Sequence, residues 1–535
     1  MKNRTYILSV LLFITSDLFS QTNDKYTEKL RNFIQNIETF SRINPQEKAY
    51  VHMDNTGYYL GESIWFKAYV VNASNHIPTQ DSRILYVELL NPRGKILSTR
   101  KLEIIDGGCA GEFYLDPFNY DYHAGFYEIR AYTRMMLNFD SEIIYSRVFP
   151  VFNTPKKPGE YNKDMRQGGD VNRLGLKMER PKAKKQKKLN VDFYPEGGNL
   201  ILDISNNIAF KATNEYGEGI DIEGKIINKK KETIVTFSSH HNGMGCFDYT
   251  PILDQEVEVI IAKEKKEYKF QLPKALSTGY LMKINPLHKR NLFIQLEKNM
   301  NTPVSELGLA ITCRGKLVHF QTAKIDSIFI LQIAKQDLPT GVNQITLFNS
   351  EGHIYSERLF FILSGNQVIH HLQVKPDKEF YQPLEKIRLE IKGVPGANLS
   401  LAVRDIQHTP ETNKQENILS YLLLTSDLKG YIENPSYYFS QDNEDKKFEL
   451  DLLMKVQGWR RYEWKQMAGI SPFSRIQPLE KCLRVDGHII GKSKSVNLEI
   501  SLNEKKTMNG VVDVDSIGRF SVLIDSVYMV NMICY

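Results

Sequence analysis

Apolar and polar residues alternate along most of the chain with the period of β-strands. This alternation marks residues 64–70, 84–89, 126–132 and 208–213. A turn composition, Asn-Pro-Arg-Gly at residues 91–94, ends the second of these runs. Short strands separated by turn signals about every ten residues are typical of β-sandwiches. The pattern therefore predicts a mostly β chain.

Helical periodicity is confined to a few stretches. Residues 25–40 predict an amphipathic helix before the first sandwich, because apolar side chains recur there at helical spacing: Leu30, Phe33, Ile34 and Ile37. Residues 417–429 are rich in Leu and end at Gly430, and residues 450–467 form a second helical stretch. They predict a small helical insertion near 415–467, either within a sandwich or as a separate unit.

The first twenty residues have the pattern of a secretory signal peptide. Lys2 and Arg4 precede an apolar run at residues 6–13, and Ser20 offers a cleavage position before Gln21. That run is too short to cross a bilayer, and no later segment reaches about 18 uninterrupted apolar residues. We therefore expect an exported protein, periplasmic or outer-membrane-associated, without a transmembrane span.

A chain of 535 residues exceeds what one hydrophobic core organises, and four or five sandwiches of roughly 100 residues fit its length. The predicted divisions are a signal peptide (1–20), an N-terminal helix (21–44), a sandwich (45–155), a basic linker (156–188), two sandwiches (189–274 and 275–364), a sandwich with the helical insertion (365–480) and an incomplete sandwich (481–535).

The net charge of +6 is small for this length, and its basic residues concentrate at 156–188 among Pro, Gly and Asn. This composition favours a solvated linker, and an anionic partner such as lipopolysaccharide or an acidic polymer is the alternative. Nucleic acid is not expected as a partner, because the chain is predicted to be exported and carries no nucleic-acid-binding motif.

The five cysteines are isolated and widely spaced: Cys109, Cys246, Cys313, Cys482 and Cys534. They form neither a C-x-x-C motif nor a metal-ligand cluster, so each is expected to be a small buried apolar residue. The sequence leaves open whether one long-range disulfide forms. Neither a metal nor another cofactor is expected.

Two segments approach known chemical motifs without matching them. Residues 487–493 have three residues between two glycines where a phosphate loop needs four, which favours a β-turn. Residues 107–112 are similar to the thioester sequence of macroglobulins and complement proteins, but no Gln follows Cys109 within reach. We predict no catalytic, cofactor-binding or metal-binding residues, and a protein that is not an enzyme.

Three other features are distinctive without being catalytic. Residues 193–198 (Phe-Tyr-Pro-Glu-Gly-Gly) predict a turn with two glycines. Residues 458–464 combine two Trp with two Arg, which indicates core packing with cation–π stacking or else a patch that binds a partner. His240-His241 is an adjacent His pair, and it has no nearby carboxylate in sequence.

Residues 47–54 and 58–69 resemble the second macroglobulin domain of α2-macroglobulins, in which an aspartate in a strand is followed by a Tyr-x-x-Gly-Glu turn into a strand. Residues 125–133 look like the closing strands of that domain, and the resemblance covers about residues 45–155. It implies tandem macroglobulin- or immunoglobulin-like β-sandwiches with a short N-terminal helix.

Further blocks at residues 193–198, 422–430 and 458–462 resemble a family of large exported bacterial proteins. Members carry macroglobulin-like sandwiches, and some continue into a carboxypeptidase-regulatory-like domain and a TonB-dependent receptor plug. Residues 482–535 resemble the start of that regulatory-like domain. No plug follows in this sequence, so a receptor role is not expected. The resemblance implies a location in the cell envelope.

These observations lead to two functional hypotheses. The first is an exported, non-catalytic, macroglobulin-like binding or scaffold protein of the cell envelope, whose partner is an outer-membrane receptor or a secretion component. The alternative is a macroglobulin-type endopeptidase inhibitor that acts on a protease without a thioester. Residues 407–416 or the basic linker would then be its cleavable segment.

Overall fold

The computed structural model describes residues 26–154, 189–363, 372–404, 416–458, 463–490, 495–502 and 506–524, apart from 216, 264–265, 383 and 441–442. Within these ranges the chain is mostly β and consists of paired small sheets with a few helices, as the hydrophobic pattern predicts. The predicted signal peptide, the basic linker, residues 407–415, residues 459–462 and Cys534 lie outside the described residues.

Helix α1 spans residues 26–43 and confirms the predicted amphipathic helix. Its apolar face buries Leu30, Ile34 and Ile37 in one cluster with Phe348 and Trp464. The helix therefore packs on Phe348, a residue of the third sandwich that lies far from the helix in sequence.

The first sandwich comprises β1 (Glu47–Met53), β2 (Tyr58–Tyr59), β3 (Ser63–Asn72), β4 (Ile84–Leu90), β5 (Ile96–Glu103), β6 (Gly108–Tyr114), β7 (Gly125–Tyr132) and β8 (Tyr145–Phe152). Its two sheets have the orders β1-β3-β6 and β2-β8-β7-β4-β5. Strand β3 shows why they pack: Ile64, Phe66 and Ala68 are buried between the sheets, whereas Trp65 points outward.

The second sandwich comprises β9 (Asn190–Pro195), β10 (Asn206–Thr213), β11 (Glu223–Asn228), β12 (Thr233–Ser238), β13 (Met244–Tyr249), β14 (Val257–Lys263) and β15 (Lys266–Phe270). Its sheets have the orders β13-β10-β9 and β12-β11-β14-β15. Phe210 and Phe237 meet across the two sheets with ring centroids 4.9 Å apart, and Phe193 and Phe247 complete this aromatic core.

The third sandwich comprises β16 (Tyr280–Asn285), β17 (Asn291–Lys298), β18 (Ser305–Cys313), β19 (Lys316–Ile325), β20 (Ile328–Ala334), β21 (Gly341–Phe348) and β22 (Ile354–Ile362). Its sheets have the orders β16-β17-β20 and β19-β18-β21-β22. Strand β21 is buried along its whole length, because its inner face fills this core and its outer face is covered by the helices that follow.

Residues 365–480 differ from the predicted fourth sandwich in the part that the structure describes. Its strands there are β23 (Gln373–Pro376) and β24 (Leu389–Lys392), which pair only with each other. Residues 399–403, predicted as a strand, have no regular secondary structure and lie outside every described sheet. The strand prediction is therefore wrong here, because the apolar alternation is present but no neighbouring strand among the described residues pairs with it.

The helical insertion is confirmed, with different bounds. It contains α2 (Ile418–Leu423), α3 (Glu444–Val456) and α4 (Trp464–Met467). Helix α3 begins earlier than predicted, because the Asn443 side chain accepts a hydrogen bond from the Lys446 backbone N–H and caps a polar first turn. It ends at Val456, whereas the predicted helix ran to Met467.

The last described strands form two separate ladders. Strand β25 (Leu483–His488) pairs with β28 (Arg519–Ile524), and β26 (Ser495–Leu502) pairs with β27 (Lys506–Asp513). A β-type segment was predicted here. Its assignment to a carboxypeptidase-regulatory-like domain stays a prediction.

Candidate binding surface

A segment without regular secondary structure crosses the outer face of the β1-β3-β6 sheet, and we call these residues, 398–404, the strap. Lys67 Nζ donates to the Leu399 carbonyl at 2.9 Å, and the Tyr69 hydroxyl donates to Ser400 Oγ at 2.8 Å. At the far end, Arg404 Nε donates to the Asp54 carbonyl at 2.7 Å. Polar groups of the strap therefore face the first sandwich and fix it there.

His52 of β1 is a further contact of the strap. Its Nδ1 atom lies 2.7 Å from Ser400 Oγ. Burial lowers the pKa of His52 below its ordinary value, and the nearby Arg404 and Arg147 guanidinium groups lower it further. The neutral imidazole is therefore the form that fits beneath the strap.

The opposite side of the strap is apolar. Leu399, Leu401 and Val403 expose 42%, 55% and 65% of their surface, respectively. They alternate with the half-buried Ser400, Ala402 and Arg404, and this alternation indicates that the three exposed side chains share one side. This is the pattern of a core-facing strand, displayed on the surface of the described chain.

Aromatic side chains lie on the same sheet face beyond the strap. Trp65 is 57% exposed and Tyr114 is 50% exposed. The ladder pairs Trp65 with Glu112 and Ser63 with Tyr114, so the two aromatic residues are diagonal neighbours on one face. Exposed Trp and Tyr are the residues most enriched at the centres of protein interfaces.

The predicted cleavable segment, residues 407–416, is described only at Glu416. Glu416 accepts a hydrogen bond from Thr425 Oγ1, and burial raises the pKa of its carboxyl. Arg404 and Glu416 both act electrostatically on Tyr50 of β1, whose pKa is raised to about 12, mainly by burial. The residues on either side of 405–415 are thus both held near the same strand.

The Phe-Tyr-Pro-Glu-Gly-Gly block ends β9 in a turn with two glycines at positive φ, as predicted. A Cβ on Gly197 would lie 2.0 Å from Ser356 Oγ, which explains the need for glycine. The sequence did not reveal the role of Glu196. This buried carboxylate accepts from Arg358 Nε and from the Ile284 backbone N–H, each at 3.1 Å.

The His240-His241 pair meets a carboxylate that lies far away in sequence. Glu449 of α3 approaches His241 Nδ1 to 3.6 Å and His240 Nε2 to 3.9 Å. The His241 ring stacks on Tyr437, with centroids 4.8 Å apart. No group of three or more His, Cys, Asp or Glu suited to a metal ion occurs among the described residues.

The structure also describes four of the cysteines and Trp464. Cys109 lies in β6 after a turn at Asp106-Gly107, and burial raises the pKa of its thiol to about 12. Cys109, Cys246, Cys313 and Cys482 carry free thiols. Trp464 is buried against Phe348, with ring centroids 4.7 Å apart, which supports the core-packing interpretation for the described end of residues 458–464.

Among the described residues, no helix is long and apolar enough to cross a membrane. Neither a protein-family model nor a curated protein matches the chain.

Comparison with solved structures finds bacterial α2-macroglobulins. The Salmonella protein reacted with methylamine has 11% identity and a TM-score of 0.17, and the match covers 65% of this chain and 25% of that one. Escherichia coli α2-macroglobulin activated by porcine elastase has 9% identity, a TM-score of 0.23, and coverage of 90% and 41%. Domains 4–9 of the surface layer protein SbsC have 10% identity, a TM-score of 0.21, and coverage of 62% and 49%.

This chain therefore spans about a quarter of the length of the Salmonella structure. The strand pairing described above shows the sandwich architecture. The solved structures to which the chain is similar include α2-macroglobulins.

Proposed function

We propose that this chain is an exported, non-catalytic binding scaffold of the cell envelope and that the strap receives a protein partner. The observation that carries the proposal is the row of exposed apolar side chains at Leu399, Leu401 and Val403. Apolar side chains at every second position suit an extended partner segment with the same alternation, which inserts its own apolar side chains against them. The aromatic pair Trp65 and Tyr114 extends this surface.

A scaffold also needs fixed geometry between its domains. Arg358 on the third sandwich bonds Glu196 of the second sandwich and Asp451 of α3, and all three side chains are buried. Such a junction supports the presentation of the strap by a stiff array of domains. The partner we expect is an outer-membrane receptor or a secretion component, and the location we expect is the periplasm or the outer membrane.

The test is a cross-linked pull-down from the envelope of the host organism, read by mass spectrometry. The variant Leu399→Ser/Leu401→Ser/Val403→Ser is compared with the wild type. Ile328→Ser/Ile330→Ser is the matched control, because these β20 side chains are similarly exposed on the third sandwich. Enrichment of one receptor or secretion component that only the strap variant loses supports the proposal. Equal recovery by all three proteins contradicts it.

A macroglobulin-type endopeptidase inhibitor without a thioester is the second candidate. The specific observation that favours it is the anchoring of Arg404 and Glu416 beside Tyr50, on either side of residues 405–415. Cleavage within that segment would break the covalent connection between the strap and Glu416. Incubation with an endopeptidase tests this function: cleavage at 405–415 with loss of protease activity supports it, and cleavage that leaves the protease fully active excludes it.

A further inference from the structure

A cleft of about 450 Å³ lies where the end of α1, the first sandwich and the third sandwich meet. Its charged lining residues are Arg42, Arg314, Lys316 and Glu38. Three cationic groups thus face one carboxylate. The volume lies within the range of small-molecule sites, roughly 300–1,000 Å³.

Arg314 is the most unusual of these residues. It is only 7% exposed, and it occupies the tight turn between β18 and β19 with a φ of 49°. Its Nε donates to the Ser74 carbonyl at 3.1 Å and its Nη1 to the Thr340 carbonyl at 2.6 Å. The positive φ of Arg314 is explained by the two-residue hairpin turn Arg314-Gly315, in which both residues adopt positive φ.

Both hydrogen-bond partners of Arg314 in the described part of the chain are neutral carbonyls, and no carboxylate there lies within ion-pair distance of its guanidinium. Asp427 shares a smaller cavity with Arg314, but Asp427 already pairs with the buried Lys48 Nζ at 2.7 Å. A buried guanidinium is costly unless an anion compensates its charge. The cleft beside Arg314 is where such an anion has room.

The amides of the cleft add hydrogen-bond donors. Asn72 Oδ1 accepts from the Ser74 backbone N–H at 3.0 Å, and Asn75 Oδ1 accepts from the Ile77 backbone N–H at 3.0 Å. Because each side-chain oxygen is thus occupied by the backbone, what each amide offers a ligand is its NH₂ group. The lining is therefore rich in donors, which suits an oxyanion.

We propose that this cleft binds a small ligand through a phosphate or carboxylate group held by Arg314, Arg42 and Lys316. Nη2 and the second Nη1–H of Arg314 are the donors that its bonds to Ser74 and Thr340 leave for the oxygens of such a group. Arg42 and Lys316, both exposed at the rim, add positive charge around it. The inference concerns a site separate from the strap and does not depend on the proposed function.

Titration calorimetry of the full chain with inorganic phosphate and with citrate tests the proposal, with sodium chloride at equal ionic strength as the blank. We expect saturable binding of at least one of the two anions. The variant Arg42→Gln/Lys316→Gln should weaken it about tenfold or more, since it removes two positive charges beside the bound anion.

Lys225→Gln/Lys230→Gln is the matched control, because it removes the same charge from exposed positions on β11 and its turn. Arg314→Met should abolish binding, and the rim variant keeps the test valid if that buried substitution unfolds the protein. The strap variant should bind the anion as the wild type does. The absence of saturable binding of both anions by the wild type, or equal weakening in the lysine control, would overturn the proposal.

Discussion

Arg358 and Asp451 form a buried ion pair, with Arg358 Nη2 2.7 Å from Asp451 Oδ1, although 93 residues separate them in sequence. Arg358 Nε also bonds Glu196, so one guanidinium connects the second sandwich, the third sandwich and α3. Desolvation of Arg358 opposes its charge, but the two carboxylates more than offset this and raise its pKa. The junction therefore depends on all three charges being present together.

Replacing Arg358 with Met should strongly destabilise this junction. The substitution leaves Glu196 and Asp451 buried without their cation, and breaking a buried pair in this way costs about 3–5 kcal/mol. Denaturant unfolding of the purified chain measures the change. Arg519→Met is the control, since it breaks the exposed pair with Asp515 and should change the free energy of unfolding by less than about 1 kcal/mol. Similar small changes in both variants would contradict the role of the junction.

The exposed apolar side chains of the strap should contribute little to the free energy of unfolding. Leu401→Ser replaces a side chain that is already more than half exposed, so the free energy of unfolding should change by no more than about 0.5 kcal/mol. Leu309→Ala, inside the third core, should cost about 2–5 kcal/mol. Thermal and denaturant unfolding of both variants measure the difference. A large loss for Leu401→Ser would mean that its side chain belongs to a core.

The sandwiches were predictable because each strand records its own environment. In β3 the buried Ile64, Phe66 and Ala68 alternate with outward residues, and this local pattern predicts both the strand and its inner face. The strap has the same alternation at Leu399, Leu401 and Val403. The pattern indicates that one side is apolar but does not indicate what covers that side. It therefore predicts a fourth sandwich at residues that, in the described chain, form the strap on the surface.

The start of α3 and the polar sites were not predictable for related reasons. The first turn of α3 is polar, and its cap at Asn443 lies outside any apolar period. Glu196 reads as part of a turn, because its partner Arg358 lies 162 residues away. Arg314 reads as a turn residue for the same reason, since the cleft beside it is closed by α1 and by the first sandwich. The local sequence pattern predicts helices and strands, but it does not predict these sites, because their residues are brought together by packing between domains.

Acidification should loosen the strap through His52. Its pKa is lowered by burial and then by Arg404 and Arg147, while Asp54 opposes them. A histidine whose folded pKa lies below its ordinary value of 6.5 contributes stability that is present above that value and is lost as the pH falls through the lowered pKa. We therefore expect faster proteolysis beside the strap in mildly acidic buffer than at neutral pH.

The variant His52→Asn isolates this effect, because Asn keeps a hydrogen-bonding group near Ser400 Oγ without titrating in this range. Limited proteolysis followed over pH should show a weaker pH dependence in this variant. His288→Asn, at an exposed position of the third sandwich, should retain the pH dependence of the wild type. An identical pH profile for His52→Asn and the wild type would exclude His52 as the titrating group.

The charge of Glu449 should raise the pKa of His241 on the second sandwich. Burial lowers the pKa of His241 and His240 lowers it as well, whereas Glu449, Glu433 and Asp221 raise it. Glu449→Gln removes the largest of these opposing charges and retains an acceptor for the Tyr437 hydroxyl, which donates to Glu449 Oε2 at 2.9 Å. The pKa of His241 should therefore fall further, as followed by NMR titration of labelled histidine. Glu444→Gln, exposed in the first turn of the same helix, is the matched control and should leave the pKa of His241 unchanged.

Because the lower folded pKa widens the gap to the unfolded value, stability at acidic pH should also fall more steeply in Glu449→Gln than in the wild type. A higher pKa for His241 in Glu449→Gln would instead mean that burial changes on substitution and outweighs the lost charge.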